Sequence, residues 1–176
     1  SFADIALNTM KELHMDSDRI LFSDTTETGC ALIMVDENSS QNEIVVILGA
    51  CNTITDQEVD SLSDLLDESE YLLTQLETNV SSVERIVDIA YKKGVKVILN
   101  TAPVQPIEDE LLSKIDLITP NEVEAEILTG VKVDSEEAAD QAAQWFFARG
   151  VKNVLITLGG RGVYINTGDK KGIIPA

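Results

Sequence analysis

Histidine occurs once in this chain, at His14, and cysteine only at Cys30 and Cys51. A single imidazole excludes a zinc constellation and a histidine-based triad, and two isolated cysteines make no disulfide framework, so a reduced, cytoplasmic setting is expected. Basic residues are scarce: 13 Lys and Arg stand against 31 Asp and Glu, a formal charge of −18. A field of that sign repels nucleic acid and anionic membranes, so neither is expected as a partner. It repels nucleotides as well, so any phosphate site must work through local backbone amides and a metal ion. Also lacking are an apolar run of membrane-spanning length, a charged leader, a lipidation signal, an internal repeat and a low-complexity tract. What remains, at 176 residues, suits one domain able to bury a core. The first residues, Ser1-Phe2, already sit in a helical pattern without an initiator methionine, which suggests that the beginning is missing.

The most informative stretch is Asp116 to Gly130. A short apolar run, Leu117-Ile118, ends at Thr119-Pro120, and a helical pattern opens with Asn121 in the cap position and closes at Gly130. A strand running straight into a helix leaves unpaired amides at the positive end of the helix dipole, a place that holds phosphate without lysine. Asn121 and Glu124, three apart on the first turn, suit a phosphate amide donor and a carboxylate for hydrated magnesium. The same spacing is equally a capping box, in which the two side chains satisfy only their own helix.

In chain order, residues 2–15 read as an amphipathic helix and Ile20-Leu21-Phe22 as a short strand. Gly29–Val35 and Glu43–Leu48 read as an antiparallel hairpin joined by a polar loop. Neither strand alternates, so both faces of the hairpin are expected to be covered, by the main core or, as a lid, by a ligand and a second subunit. From Thr55 helices and strands alternate. Capping boxes are read at Thr55-x-x-Glu58, before a helix through Leu66, and at Ser81-x-x-Glu84, before a helix ended by Gly94. Strands are expected at Tyr71–Leu76, Val95–Leu99, Leu117–Ile118, Asn153–Thr157 and Val163–Ile165, with helices near Glu110–Leu112 and over Ser135–Arg149. The organisation expected is a helix of the α/β domain (1–19), strands of a β lid (20–50) and an α/β core (51–176).

Strands joined by such helices run parallel with right-handed crossovers, which predicts a Rossmann-like α/β fold, a mostly parallel sheet between helix layers with a small hairpin lid. Ligands lie beyond the carboxyl ends of such strands. Gln75-Leu76-Glu77, Asn100 to Pro103, Thr119 to Glu124 and Thr157 to Gly162 all fall there. Gly159-Gly160-Arg161-Gly162 is neither a P-loop nor a dinucleotide fingerprint; it is an anion nest or a plain hairpin turn. Arg161 offsets nucleotide charge or faces solvent, Glu77 takes sugar hydroxyls or is a surface acid, and Asn100 orients a phosphate or stabilises its turn.

As an ordered set these motifs resemble the ribokinase family of sugar kinases, the PfkB type. Thr28-Gly29 before Ala31–Asp36 and Gly49-Ala50 extend the likeness over essentially the whole chain, nearer the ribokinase branch than the fructokinase or adenosine kinase branches. The resemblance implies transfer of a phosphoryl group from ATP to a sugar hydroxyl, most simply ribose to ribose 5-phosphate. It further implies Mg2+, with a monovalent cation such as K+ as a further candidate. It assigns Glu77 to the sugar, and Asn121, Thr157, Leu158, Gly159, Gly160, Arg161 and Gly162 to the nucleotide. Glu124 would hold magnesium through water, and a homodimer would form through the lid strands. Departures are Cys51, where the family usually has asparagine, and the lack of a Gly-Gly-Lys-Gly-type sugar segment and of the Gly-Ala-Gly-Asp stretch. The latter carries the base, expected beyond Ala176, so the chain alone is expected to be inactive. The rival readings are another sugar or nucleoside kinase of this family, and a non-catalytic nucleotide- or sugar-binding module.

Overall fold

A computed structural model describes residues 2–38 and 42–176. Residues 1–54 and 55–176 form two compact units. In the first, helix α1 (Phe2–Glu12) ends where His14 enters the left-handed region at φ 54° and the Met15 amide returns to the Met10 carbonyl at 2.9 Å. That six-to-one bond is a Schellman end, filled here by histidine where glycine is usual. The expected strand at Ile20–Phe22 does not form. A strand needs a partner for its backbone, and here the Ile20 amide turns back to the Ser17 carbonyl while Asp16 takes the Asp18 amide.

Strands β1 (Thr28–Val35) and β2 (Asn42–Gly49) pair antiparallel, with Leu32 opposite Val45 and Ile33 opposite Ile44. Part of their connecting loop, residues 39–41, lies outside the described residues. Leu32, Val45 and Ile47 share one face, and Ile33, Ile44 and Val46 the other. All six are between 46% and 62% exposed, so the described residues of this unit do not supply the cover expected on both faces of the ribbon.

The second unit carries a six-stranded sheet in the order β3 (Tyr71–Thr74), β4 (Lys96–Leu99), β5 (Leu117–Ile118), β6 (Asn153–Thr157), β7 (Val163–Asn166) and β8 (Lys171–Ile174). The first four strands are parallel and the last two pairings antiparallel, so the sheet is mixed and mostly parallel. Strand β8 had no counterpart in the expected elements. Its core, Lys171-Gly172-Ile173-Ile174, is too short and too mixed to carry a period.

Strands laid down in sequence order with right-handed crossovers place their connecting helices on one face. Helices α4 (Val80–Lys93), α5 (Asp109–Leu112), α6 (Glu122–Thr129) and α7 (Glu136–Phe147) bury Val83, Val87, Leu111, Leu112, Ala125 and Phe146 in one core. Val97, Leu99, Ile118, Val154, Ile156 and Tyr164 of the sheet join them, all fully buried. Removing a side chain such as Phe146 from this core would cost about 3–5 kcal/mol. On the other face Leu73 is 73% and Ile174 58% exposed, so the helices of this unit supply a single layer.

Two expected helices depart from the reading: one splits and one starts earlier. The helix after Thr55 splits into α2 (Asp56–Asp60) and α3 (Ser63–Asp67), because the Ser61 hydroxyl back-bonds to the Glu58 carbonyl at 2.6 Å and interrupts the ladder. The capping box at Thr55 and Glu58 is present. Ser81 is not a cap: the cap of α4 lies two residues earlier at Asn79, whose carbonyl accepts from the Ser82 hydroxyl at 2.7 Å. Helix α7 is fastened to the last strands by polar groups. The buried Tyr164 hydroxyl donates to Asp140 at 2.8 Å, Asn166 donates to both, and Lys171 pairs with the other Asp140 oxygen at 2.8 Å.

Candidate active site

The carboxyl ends of the four parallel strands are joined to one another by hydrogen bonds. Beyond β3, the Leu76 amide reaches the Ala102 carbonyl at 3.1 Å and the Thr74 carbonyl takes the Asn100 amide at 2.9 Å. Beyond β4, the Thr119 amide meets the Leu99 carbonyl at 2.9 Å, and the Asn100 side-chain amide donates to the Thr119 carbonyl at 3.1 Å. Beyond β5, the Thr157 amide meets the Pro120 carbonyl at 3.0 Å, and Asn121 forms a parallel bridge with Thr157. Residues 75–77, 100–103, 119–124 and 157–162 therefore share one sheet edge.

At the start of α6, Asn121 takes an extended backbone and its side-chain oxygen accepts the Glu124 amide at 2.8 Å. Glu124 reciprocates: its carboxylate accepts the Asn121 backbone amide at 3.0 Å and the Asn121 side-chain amide at 2.8 Å. The capping box is thus real, and it leaves work undone. The Glu122 and Val123 amides fall outside it, and Asn121 is exposed while Glu124 is buried. Glu124 also accepts the Thr101 hydroxyl at 2.8 Å. A carboxylate has roughly four lone-pair positions, so three donors leave one free. Thr101, fully buried, received no role from sequence, although a hydroxyl directly after a buried strand was the available signal.

The glycine-rich turn closes with the Leu158 amide on the Gly162 carbonyl at 2.9 Å and the Arg161 amide on the Leu158 carbonyl at 3.1 Å. The Gly159 and Gly160 amides take no part in these bonds. Gly162 has φ +98°, and a Cβ there would lie 2.0 Å from the Ile174 carbonyl oxygen, so β8 demands glycine. Gly159, at φ +55°, faces open space. Arg161 does not face solvent alone: it donates to the Glu122 carboxylate and to the Val133 and Asp134 carbonyls at 2.5, 2.8 and 2.9 Å. Glu122 was another residue without an expected role. Glu77 is exposed, its amide held by the Gln75 side chain. The Asn100 side chain is spent on its own turn, accepting the Ala102 amide at 3.1 Å, and on Thr119.

Chemically, among the described residues this edge offers unpaired amides at a helix start, two more in a glycine turn, and the buried Glu124 carboxylate on the first turn of α6, which suits a polyphosphate. The sequence pattern of the pfkB family carbohydrate kinases matches residues 1–176. This chain belongs to that family. Ribokinase of Haemophilus influenzae is 45% identical over 167 residues, 95% of this chain and 54% of its own length. Ribokinase of Staphylococcus aureus is 39% identical over 165 residues, 94% of this chain and 54% of its own length. The structure of Arabidopsis thaliana ribokinase complexed with ribose and ATP superposes with a TM-score of 0.78 at 28% identity, over 92% of this chain and 52% of that one. The chain spans about half the length of the curated relatives it matches.

For a pfkB kinase the acidic surplus poses a problem that the geometry meets locally. No group of three or more His, Cys, Asp or Glu fit to hold a metal occurs among the described residues. A single carboxylate with one open position, as at Glu124, would suit only a cation that keeps most of its waters, such as magnesium. No helix among the described residues is long and apolar enough to cross a membrane.

Proposed function

We propose that this chain forms the nucleotide edge and part of the sugar site of an ATP-dependent kinase that converts ribose to ribose 5-phosphate. The observation that carries this reading is the bridge between Asn121 and Thr157, which brings the start of α6 beside the glycine turn. Two sets of unpaired amides then meet at one place, where oxygen-rich charge is held by preorganised dipoles. The ribokinase relatives and the solved complex with ribose and ATP support the choice of substrate.

In this assignment Asn121 and the backbone of the turn from Thr157 to Gly162 receive the triphosphate, and Glu77, exposed beyond β3, accepts hydrogen bonds from sugar hydroxyls. Glu124 holds magnesium through water, and the ion would neutralise charge on the transferred group. Catalysis by such a site is mostly alignment and charge stabilisation. Residues 20–50 act as a lid, and two copies pair through the exposed β1–β2 ribbon, removing apolar surface that a monomer leaves in water. The free thiols of Cys30 and Cys51 suit a reducing, cytoplasmic compartment.

ADP release by the full-length protein, measured across a panel of pentoses and hexoses with magnesium, tests the proposal. The expected result is release dependent on ribose. Release with no sugar, or with none above background, ends it.

A further inference from the structure

We propose that Arg161 is a positioning residue, which holds the glycine turn against the first turn of α6 through Glu122 and does not itself bind phosphate. The inference rests on the nucleotide reading of this edge. Arg161 stands in the turn, yet its guanidinium is directed to three acceptors elsewhere: the Glu122 carboxylate at 2.5 Å, the Val133 carbonyl at 2.8 Å and the Asp134 carbonyl at 2.9 Å. Glu122 is the first residue of α6, and residues 133–134 lead into α7 through its cap Ser135. One planar fork thus spans three segments, a geometry that lysine cannot reproduce.

Two consequences follow for a phosphate at this edge. First, the amides of Gly159 and Gly160 are held at a fixed spacing from those of Glu122 and Val123, so no ordering is left to do when the anion arrives. Second, Glu122 would otherwise present a negative charge at a helix start meant for an anion, and Arg161 neutralises it. The chain carries a formal charge of −18, so a local carboxylate left unpaired adds to a field already hostile to nucleotide. Turning Arg161 toward phosphate would break three bonds to form new ones and would free Glu122 to repel the same ligand.

A double-mutant cycle on the full-length protein separates this role from direct contact. R161Q, E122Q and the double variant are compared for KM of ATP, kcat and KM of the sugar, with melting temperature as a control for folding. If Arg161 acts through Glu122, R161Q raises the KM for ATP by about tenfold when Glu122 is present and by under about twofold in the E122Q background. The sugar KM stays unchanged, and R161K restores little. A direct phosphate ligand would show an equal rise in both backgrounds, and that result, or no rise in either, overturns the inference. A wild-type protein that neither binds nor consumes ATP overturns the nucleotide reading itself, and this inference with it.

Discussion

The Thr101 hydroxyl, fully buried at the end of β4, donates to the Glu124 carboxylate of α6 at 2.8 Å. A buried acid is tolerated only when its oxygens are occupied, and Thr101 supplies a donor from outside the helix that Glu124 caps. Thr101→Val keeps the shape and removes the donor. Unfolding in urea should show a loss of about 1–3 kcal/mol with an unchanged slope, since one buried acceptor is left short while the exposed area is the same.

Asn121 serves the helix and, as proposed, the nucleotide, and the two duties can be parted. Serine caps a helix about as well as asparagine but has no amide group. Asn121→Ser should therefore leave the melting temperature within a few degrees of wild type while the KM for ATP rises. Asn121→Ala should lose both, with a stability cost of about 0.5–2 kcal/mol. Equal KM values for wild type and Asn121→Ser would remove Asn121 from the site.

The glycine turn contains one residue required by the fold and one that is not. Gly162→Ala would drive a Cβ to 2.0 Å from the Ile174 carbonyl at φ +98°, whereas a Cβ on Gly160 meets nothing within 4 Å. Gly162→Ala should cost about 1–3 kcal/mol or more by displacing β8, and Gly160→Ala should be near neutral for stability. Thermal unfolding of the two variants side by side checks this.

Protonation of the α7 clasp gives stability a pH dependence of known sign. The Lys171 ammonium holds the Asp140 carboxyl below its usual value of 3.8, aided by the Tyr164 hydroxyl. Its contribution is full above that value and is lost as pH falls through the lowered one. Burial first, and then the bond to Asp140, push the Tyr164 hydroxyl up to about 12 from 10.0. A raised phenol pKa stabilises the fold below pH 10.0 and loses that contribution as pH climbs toward 12. Tyr164→Phe should unfold more easily at neutral pH by about 1 kcal/mol and should show a shallower fall in melting temperature above pH 10.0. An identical alkaline slope in both proteins would contradict the assignment.

Local chemistry made much of the second unit legible. Gly94 and Gly130 end their helices with φ near +75°, as glycine after a periodic run implies, and the capping boxes at Thr55 and Asn121 are both formed. Illegible were the features that depend on a partner. Ile20–Phe22 has strand composition and no neighbouring strand, and Ser81 has cap chemistry but sits inside a helix that starts at Val80.

The linear order of residues was enough to put Glu77, Asn121 and Gly159 at strand ends, because alternation of helix and strand allows parallel strands and right-handed crossovers only. It was enough, too, to identify the family. Which side chain answers which was decided in three dimensions. Thr101 finds Glu124 across 23 positions and Arg161 finds Glu122 across 39, and hydrogen bonds between residues so far apart leave no periodic trace along the chain. The same holds for the β1–β2 ribbon: its apolar residues announce a buried surface, but burial belongs to whatever packs on them, and the described residues of their own unit leave them exposed.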